Sequence, residues 1–479
     1  MRPMPDPGEG RDELAAALEL AAGEARAYLA GIESDPVQPP GSEEVAAALD
    51  GELPEDGEGA TAAVRELARL GRENATRSAG PRFFHFVIGG ATPAALAADW
   101  LTSAFDQNAA GWVAAPLASR LESICIDWLR DLFRLPDEFG GVLVTGGTMA
   151  NFVGLAAARE WCGERRGHRV RDAGLAGMPQ IPVFSSGHIH ASAVKSLAML
   201  GVGSASVSKL TRDAAGNLDI DALERGLRGL DGAPAIIVAS AGEVNAGAFD
   251  PIDRMADLAA AHGAWLHVDG AFGLFARVSP HSAHLTAGVE RADSVSSDGH
   301  KWLNVPHDCG FTFLREPERL IGTFAERADY LPPPDEENPS FGYRGPEGSR
   351  RARALAVWAT LRAYGRAGYR AMVERHLDLA QRLAARVDAE PQFERLADVP
   401  LDIVCFRWRP AGAEDEELDD LNRRLGEALL HDGRVFAGTT LYEGRVAFRP
   451  AIVNWRTRPE DVDLLVDILL ELAGEIRPG

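Results

Sequence analysis

Apolar positions along the chain fall into three textures. From Arg11 to about Arg72 they recur with helical spacing. ELAAALELAAGEARAYLAGI and AVRELARLGREN read as amphipathic helices, separated by a Pro/Gly/Asp linker from Ser34 to Gly59. Such helices cannot bury their apolar faces alone. They must pack on the rest of the chain or on a second subunit. From Pro81 an aromatic, turn-rich segment, RFFHFVIGG, precedes a helical pattern running from Pro93 to about Phe133.

An alternating series follows. GVLVT (141–145), IPVFSS (181–186), PAIIVAS (234–240), WLHVD (265–269), DSVSS (293–297) and GFTFL (310–314) are short apolar runs that predict buried strands. TMANFVGLAAAREW, ASAVKSLAML and IDRMADLAAAHG between them predict helices. Apolar strands alternating with helices imply an α/β fold, a mostly parallel sheet covered on both faces. Ligands in such sheets bind beyond the carboxyl ends of the strands. Residues 330–350, YLPPPDEENPSFGYRGPEGSR, predict a long surface loop, of a length that is often functional. Beyond it, a long helical stretch leads into a mixed tail of strands (DIVCFRW, GRVAFRPAIV) and helices, a smaller α+β unit. The expected division is therefore 1–80, 81–350 and 351–479.

Composition narrows the function. At 46% hydrophobic and 25% charged, the chain is an ordinary globular one. Its net charge of −22 disfavours nucleic acid and anionic membrane as partners. No apolar run is long enough to span a bilayer, and the first residues lack the apolar core of a signal peptide. Four scattered cysteines show no metal-ligand spacing; no metal is expected, and reduced thiols of a cytoplasmic protein are.

Only three of the 49 basic residues are lysines: Lys195, Lys209 and Lys301. Arginine supplies charge but cannot form a Schiff base, so a surviving lysine raises the question of amine chemistry. Lys195 lies in a predicted helix and Lys209 in a polar loop. Lys301 follows a strand, in SSDGHKWLNVP, beside Trp302 and Leu303. Desolvation there would favour imine formation, whereas the plain alternative is a snorkelling surface lysine. Three further strand ends carry polar residues. At GVLVTGGTMANF, two glycines and a helix start near Thr148 suit an anion, or are a simple strand–turn–helix with a Thr cap. At SSGHIHASAVKS, His190 can stack on a planar ring or cap the next helix. At HVDGAFG, Asp269 ends a very apolar strand and needs a partner: a protonated heteroaromatic nitrogen, or a helix cap or arginine. His267 shares its face of the strand. An anion cup, a ring stacker, a carboxylate for a ring nitrogen and an amine together match pyridoxal 5′-phosphate.

With HVDGAFG and DGHKWLNVPHDCG as its most specific motifs, the chain resembles the group II amino-acid decarboxylases of the fold-type-I pyridoxal-phosphate enzymes, from near Pro81 to near Arg449. The resemblance implies that fold, with a seven-stranded type of sheet. It implies Lys301 as bearer of the cofactor's internal aldimine and His300 at its phosphate. Asp269 would pair with the pyridine nitrogen and His190 stack on the ring. Gly147 and Thr148 would hold the phosphate, with Ser192, Asn245 and Asp298 as further contacts. Phe83, Phe84, His85, Phe86 and Trp112 would line the substrate pocket. Arg449 would clamp a carboxylate in plane, as in an aminotransferase, or anchor substrate in a decarboxylase, and Tyr343 or Tyr330 would serve as a loop acid. The implied reaction turns an L-amino acid into its amine and CO2. Transamination or aldehyde-forming oxidative deamination is the alternative. A homodimer clasped by the N-terminal helices is also implied.

Overall fold

The computed structural model describes residues 11–476, except 48, 50, 327, 330–332 and 336. Tyr330 therefore lies outside the described residues. Seven strands form the main sheet: β1 (Gly140–Val144), β2 (Val183–Ser185), β3 (Val207–Lys209), β4 (Ile236–Ser240), β5 (Trp265–Asp269), β6 (Ser294–Asp298) and β7 (Gly310–Leu314). Their order is β1-β7-β6-β5-β4-β2-β3. β3, β2, β4, β5 and β6 run parallel, while β7 is antiparallel to both β1 and β6. The cause is the link from β6 to β7, Gly299–Cys309, which contains no crossover helix. That link carries His300 and Lys301.

Strand alternation divides the core in two. Leu143, Ile237, Leu266, Val268, Val295, Phe311 and Phe313 pack on one face of the sheet. Val142, Val144, Ile236, Val238, Trp265 and Leu314 pack on the other, with the helix Gly147–Glu164. His267 and Asp269 alternate with Trp265 and so share its face. Gly154 lets that helix approach β5, since a Cβ there would lie 2.8 Å from His267 Cε1.

A second sheet, β8 (Phe393–Arg395), β9 (Phe406–Trp408), β10 (Thr439–Tyr442) and β11 (Arg445–Phe448), is antiparallel in the order β10-β11-β9-β8. It packs with helices Asp415–Asp432 and Pro459–Glu475 and the far half of helix Ala354–Ala389. That long helix bends at Gly365, whose φ of 59° and ψ of −174° interrupt the ladder.

Three readings of the sequence change. The helical pattern 93–133 is two helices, Pro93–Phe105 and Pro116–Leu132; left-handed Asp106 ends the first and Pro116 starts the second. β3 was not foreseen, because a largely exposed edge strand held by backbone pairing to β2 shows no apolar alternation. Lys209 is its last residue, not part of a loop. A short helix, Ser42–Ala47, interrupts the N-terminal linker. The flanking helices Leu14–Gly31 and Ala60–Asn74 are joined by an Arg72–Glu24 ion pair and contain no buried residue. Leu14, Leu18 and Leu67 stand 61–69% exposed.

The edge of β1 is closed by a buried ion pair. Arg350 grips Glu122 through two bonds of 2.8 and 3.0 Å, with both side chains at most 2% exposed. Glu122 also accepts the amide of Leu143 (2.9 Å), and Arg350 donates to the Leu143 carbonyl. The pair thus replaces a neighbouring strand for the backbone of β1. Removing one partner leaves a charge buried and unpaired. Arg350→Met is expected to cost about 3–5 kcal/mol. Breaking the solvent-exposed Arg382–Asp463 pair by Arg382→Met should cost far less. Urea unfolding of the two variants measures the difference.

Candidate active site

A cavity of ≈ 320 Å³ opens beyond the carboxyl ends of the parallel strands. Thr145, Gly146, Gly147, Thr148, Met149, His190, Ser192, Ala271, Asp298, His300 and Lys301 line it. Residues from four separate strand ends therefore meet in one place.

The β1 exit forms the anion cup. Its helix starts at Gly147, with Gly146 as cap and no side-chain cap. Thr148 is exposed in the first turn instead of capping, so its hydroxyl is available to a ligand. The first amides of a helix lack internal acceptors and, with the helix dipole, favour an anion. A side chain at Gly147 cannot be accommodated: a Cβ there would lie 2.5 Å from Asp298 Oδ2.

Lys301 projects into the cavity with its Nζ 3.5 Å from Asp298 Oδ2 and 5.5 Å from the centre of the Phe272 ring. Its backbone is tightly held. Gly89 donates to the His300 carbonyl (3.1 Å), and a Cβ on Gly89 would collide with the Lys301 carbonyl. Asn304, at a left-handed φ of 56°, donates to the carbonyls of Trp302 and Val453 at 2.9 and 3.0 Å. Trp302 donates to His376 Nδ1 (2.8 Å), and His376 Nε2 donates to the Asn454 carbonyl (2.9 Å). The lysine therefore rides on a rigid turn fastened to the C-terminal segment.

Asp269 is buried at the end of β5. Its Oδ2 accepts from Asn151 Nδ2 (2.8 Å) and its Oδ1 from the Ala271 amide (3.2 Å). His267 does not touch it. It reaches Asn151 Oδ1 through Nε2 (2.9 Å) and Ser294 Oγ through Nδ1 (2.8 Å). Burial pushes the His267 pKa down to about 4, so its ring is neutral.

His190 both caps and faces the cavity: Nδ1 accepts from the Ser192 amide (3.2 Å), starting helix Ala191–Met199. The cap fixes the ring instead of competing with a ligand role. Its ring is open on the cavity side, yet the surrounding protein lowers its pKa, chiefly by desolvation. Asp269 opposes this and Lys301 adds to it.

The other expected residues lie elsewhere. Phe84 is 1% exposed and belongs to the core of the second sheet. Its amide donates to the Phe436 carbonyl at 2.8 Å. Phe83 stacks on Phe436 (4.8 Å between centroids). Segment 82–84 is thus woven into the C-terminal unit, and neither ring lines the cavity. Phe86 is exposed, at a left-handed φ of 57°, and Trp112 is half-buried outside the lining set. His85 Nδ1 accepts from the Gly438 amide (3.1 Å), and burial takes its pKa down to about 4. Tyr343 is buried and does not line the cavity. Asn245 accepts from Thr440 (2.8 Å), also outside the lining. Arg449 is 8% exposed and bonded to the Val244 carbonyl (3.2 Å); it acts on His85 and His190 through its charge. Asn151 and Asn304 were not anticipated from sequence. The only hint was a polar residue inside otherwise buried runs.

The sequence profile of the pyridoxal-dependent decarboxylase conserved domain matches residues 42–409. The chain belongs to this decarboxylase family. Aromatic-L-amino-acid decarboxylase of Bacillus atrophaeus is 29% identical, the match covering 88% of each chain. L-2,4-diaminobutyrate decarboxylase of Rhizobium meliloti is 34% identical over 88% of this chain and 84% of its own. Among solved structures, Oryza sativa TDC with PLP and tryptamine superposes with a TM-score of 0.89 at 27% identity, over 97% of this chain and 98% of that one. Mouse CSAD gives 0.89 at 26% identity, over 97% and 99%. Membership makes the protein a pyridoxal-phosphate-dependent carboxy-lyase with the fold expected from its motifs.

The buried histidines predict a pH effect. Unfolded histidine takes a proton near pH 6.5, whereas folded His267 and His376 resist to about 4 and about 3. Between those values the unfolded state binds more protons, so each residue makes stability fall as pH falls from 6.5. Asp402, pushed up to about 8 by burial, acts in the opposite direction, so a difference measurement is needed. Relative to His376→Gln, the wild type should lose roughly 1.4 kcal/mol more per unit between pH 6 and 5. Urea midpoints at the two pH values report it.

Proposed function

We propose that the protein decarboxylates an L-amino acid to its amine, using the strand-end cavity to hold pyridoxal 5′-phosphate. The observation that carries this reading is the convergence of Lys301, His190 and a side-chain-free helix N-terminus on one cavity, with Asp269 buried beside it and bonded to the lining residue Ala271. The donor set fits the group. A helix start crowded against Asp298 at Gly147 leaves only backbone amides and Thr148 for a phosphate. A buried carboxylate held by two protein donors suits a protonated ring nitrogen.

Bound there, the cofactor supplies an electron-accepting ring linked to the substrate nitrogen. The chain's residues do the rest. Asp269 holds a proton on the ring nitrogen. His190 covers one ring face with its Nδ1 already engaged by Ser192, so Nε2 is its free proton-bearing atom. Lys301 would anchor the cofactor through Nζ, which lies 3.5 Å from Asp298 Oδ2. His300, which lines the cavity, would face the phosphate. Arg449, desolvated and near His190, draws a substrate carboxylate to that side. Ser192 completes the lining, with residues 81–350 as the cofactor-binding unit in this reading. The uncovered N-terminal helices suit a clasp on a second copy, making a homodimer. Four buried free cysteines suit the reducing cytoplasm.

Tyr343 favours a second reading. A tyrosine buried away from the cavity does not supply a proton there, which leaves room for aldehyde formation. Rhodiola rosea 4-hydroxyphenylacetaldehyde synthase superposes with a TM-score of 0.85 at 25% identity. A panel of L-amino acids separates the two. Decarboxylation releases CO2 and amine one to one; aldehyde with ammonia, or keto acid, would displace it. Borohydride should fix the cofactor to the wild-type protein, and Lys301→Ala should lose that label. A mutant that still traps cofactor covalently would contradict the lysine assignment.

A further inference from the structure

One buried side chain, Asn151, joins the two groups that would touch the cofactor ring. It is 1% exposed, in the second turn of the helix Gly147–Glu164. Its Nδ2 donates to Asp269 Oδ2 at 2.8 Å and to Ser192 Oγ at 3.0 Å. Ser192 Oγ lies 2.8 Å from His190 Nδ1. On the other side, Asn151 Oδ1 faces His267 Nε2 at 2.9 Å and Ser296 Oγ at 2.5 Å. His267 Nδ1 meets Ser294 Oγ at 2.8 Å, and Ser294 accepts from Trp265 Nε1 at 2.9 Å.

The proton positions along this chain follow from its ends. Indole N–H only donates, and the Ser294 hydroxyl that accepts it still has its own proton for His267 Nδ1. His267, neutral, then carries its proton on Nε2 and gives it to Asn151 Oδ1. The amide must therefore offer Nδ2 to Asp269; the flipped amide would set oxygen against carboxylate and two donors against each other. Ser192 Oγ accepts from Nδ2 and so donates to His190 Nδ1, which also receives the Ser192 amide. His190 is left with its proton on Nε2.

We propose that Asn151 is a positioning residue that sets the orientation of Asp269 and its hold on the ring-nitrogen proton. The proposal rests on the cofactor reading above. Its consequence concerns one proton. A carboxylate deprived of a donor is more basic. Without Asn151, Asp269 competes better for the proton shared with the ring nitrogen, and the ring loses positive charge.

Ring-15N pyridoxal 5′-phosphate, added to the full-length apoprotein, tests this without turnover. In the wild type the nitrogen shift should read protonated. In Asn151→Ala it should move toward neutral pyridine, and cofactor affinity should fall roughly 10- to 100-fold, the worth of one hydrogen bond to a charged group. His267→Gln, which can still donate to Oδ1, should keep the wild-type shift; His267→Leu should not. An unchanged nitrogen shift in a folded Asn151→Ala holoprotein would overturn the proposal. Should Asn151→Ala not fold, the His267 pair decides: equal shifts in Gln and Leu would overturn it as well. Failure of the wild type to bind the cofactor would instead remove the functional reading beneath it. Circular dichroism of each apoprotein separates loss of fold from loss of the network.

Discussion

Placing a carboxylate at the end of a wholly buried strand is the constraint on which the cofactor side of this molecule turns. An ionised group loses its water there and must recover the lost interactions from protein. Asp269 recovers them from one amide of the following turn and from Asn151. Asn151 can serve only if its helix lies close to β5, and that distance is set by Gly154 against His267. The same helix begins at Gly147, so satisfying the carboxylate also fixes the anion cup. Cup, carboxylate and His190 are thereby consequences of one packing arrangement.

A second requirement holds Lys301. Its turn leaves β6 and returns at once through antiparallel β7, with Trp302, Leu303, Asn304 and Val305 buried behind it. Asn304 and His376 tie this turn to the chain's last strand-and-loop segment. The amine is thus presented by a rigid support rather than by a loop free to move, which suits a group that must meet a ligand in one geometry.

Much of this was legible in the sequence, for a physical reason. Lys301, Asp269, His190 and the Gly147–Thr148 step each follow an apolar run that can only be a buried strand. Polar residues at such exits converge beyond the sheet in any fold of this class. Asn151 gave no such signal: it sits inside a plainly helical run, and its partner Asp269 is 118 residues away. RFFHF misled in the opposite direction. Aromatic residues announce burial but not which core receives them, and Phe84 joins the second sheet. The edge strand β3 lacked apolar alternation altogether. The helical texture of 93–133 concealed a break that Asp106 makes through its backbone conformation, a property sequence periodicity does not carry.

The antiparallel return of β7 has a consequence for how this protein can vary. Side chains alternate between the sheet's two faces, so a slip of one residue in a strand exchanges every one of them. β7 is paired on both edges, with Phe311 and Phe313 committed to one core and Leu314 to the other. A single inserted or deleted residue between Gly299 and Cys309 must be absorbed by the turn itself or turn β7 inside out. The spacing from Lys301 to the sheet is thereby metered by the hydrophobic faces of a strand that contributes nothing to the cavity lining.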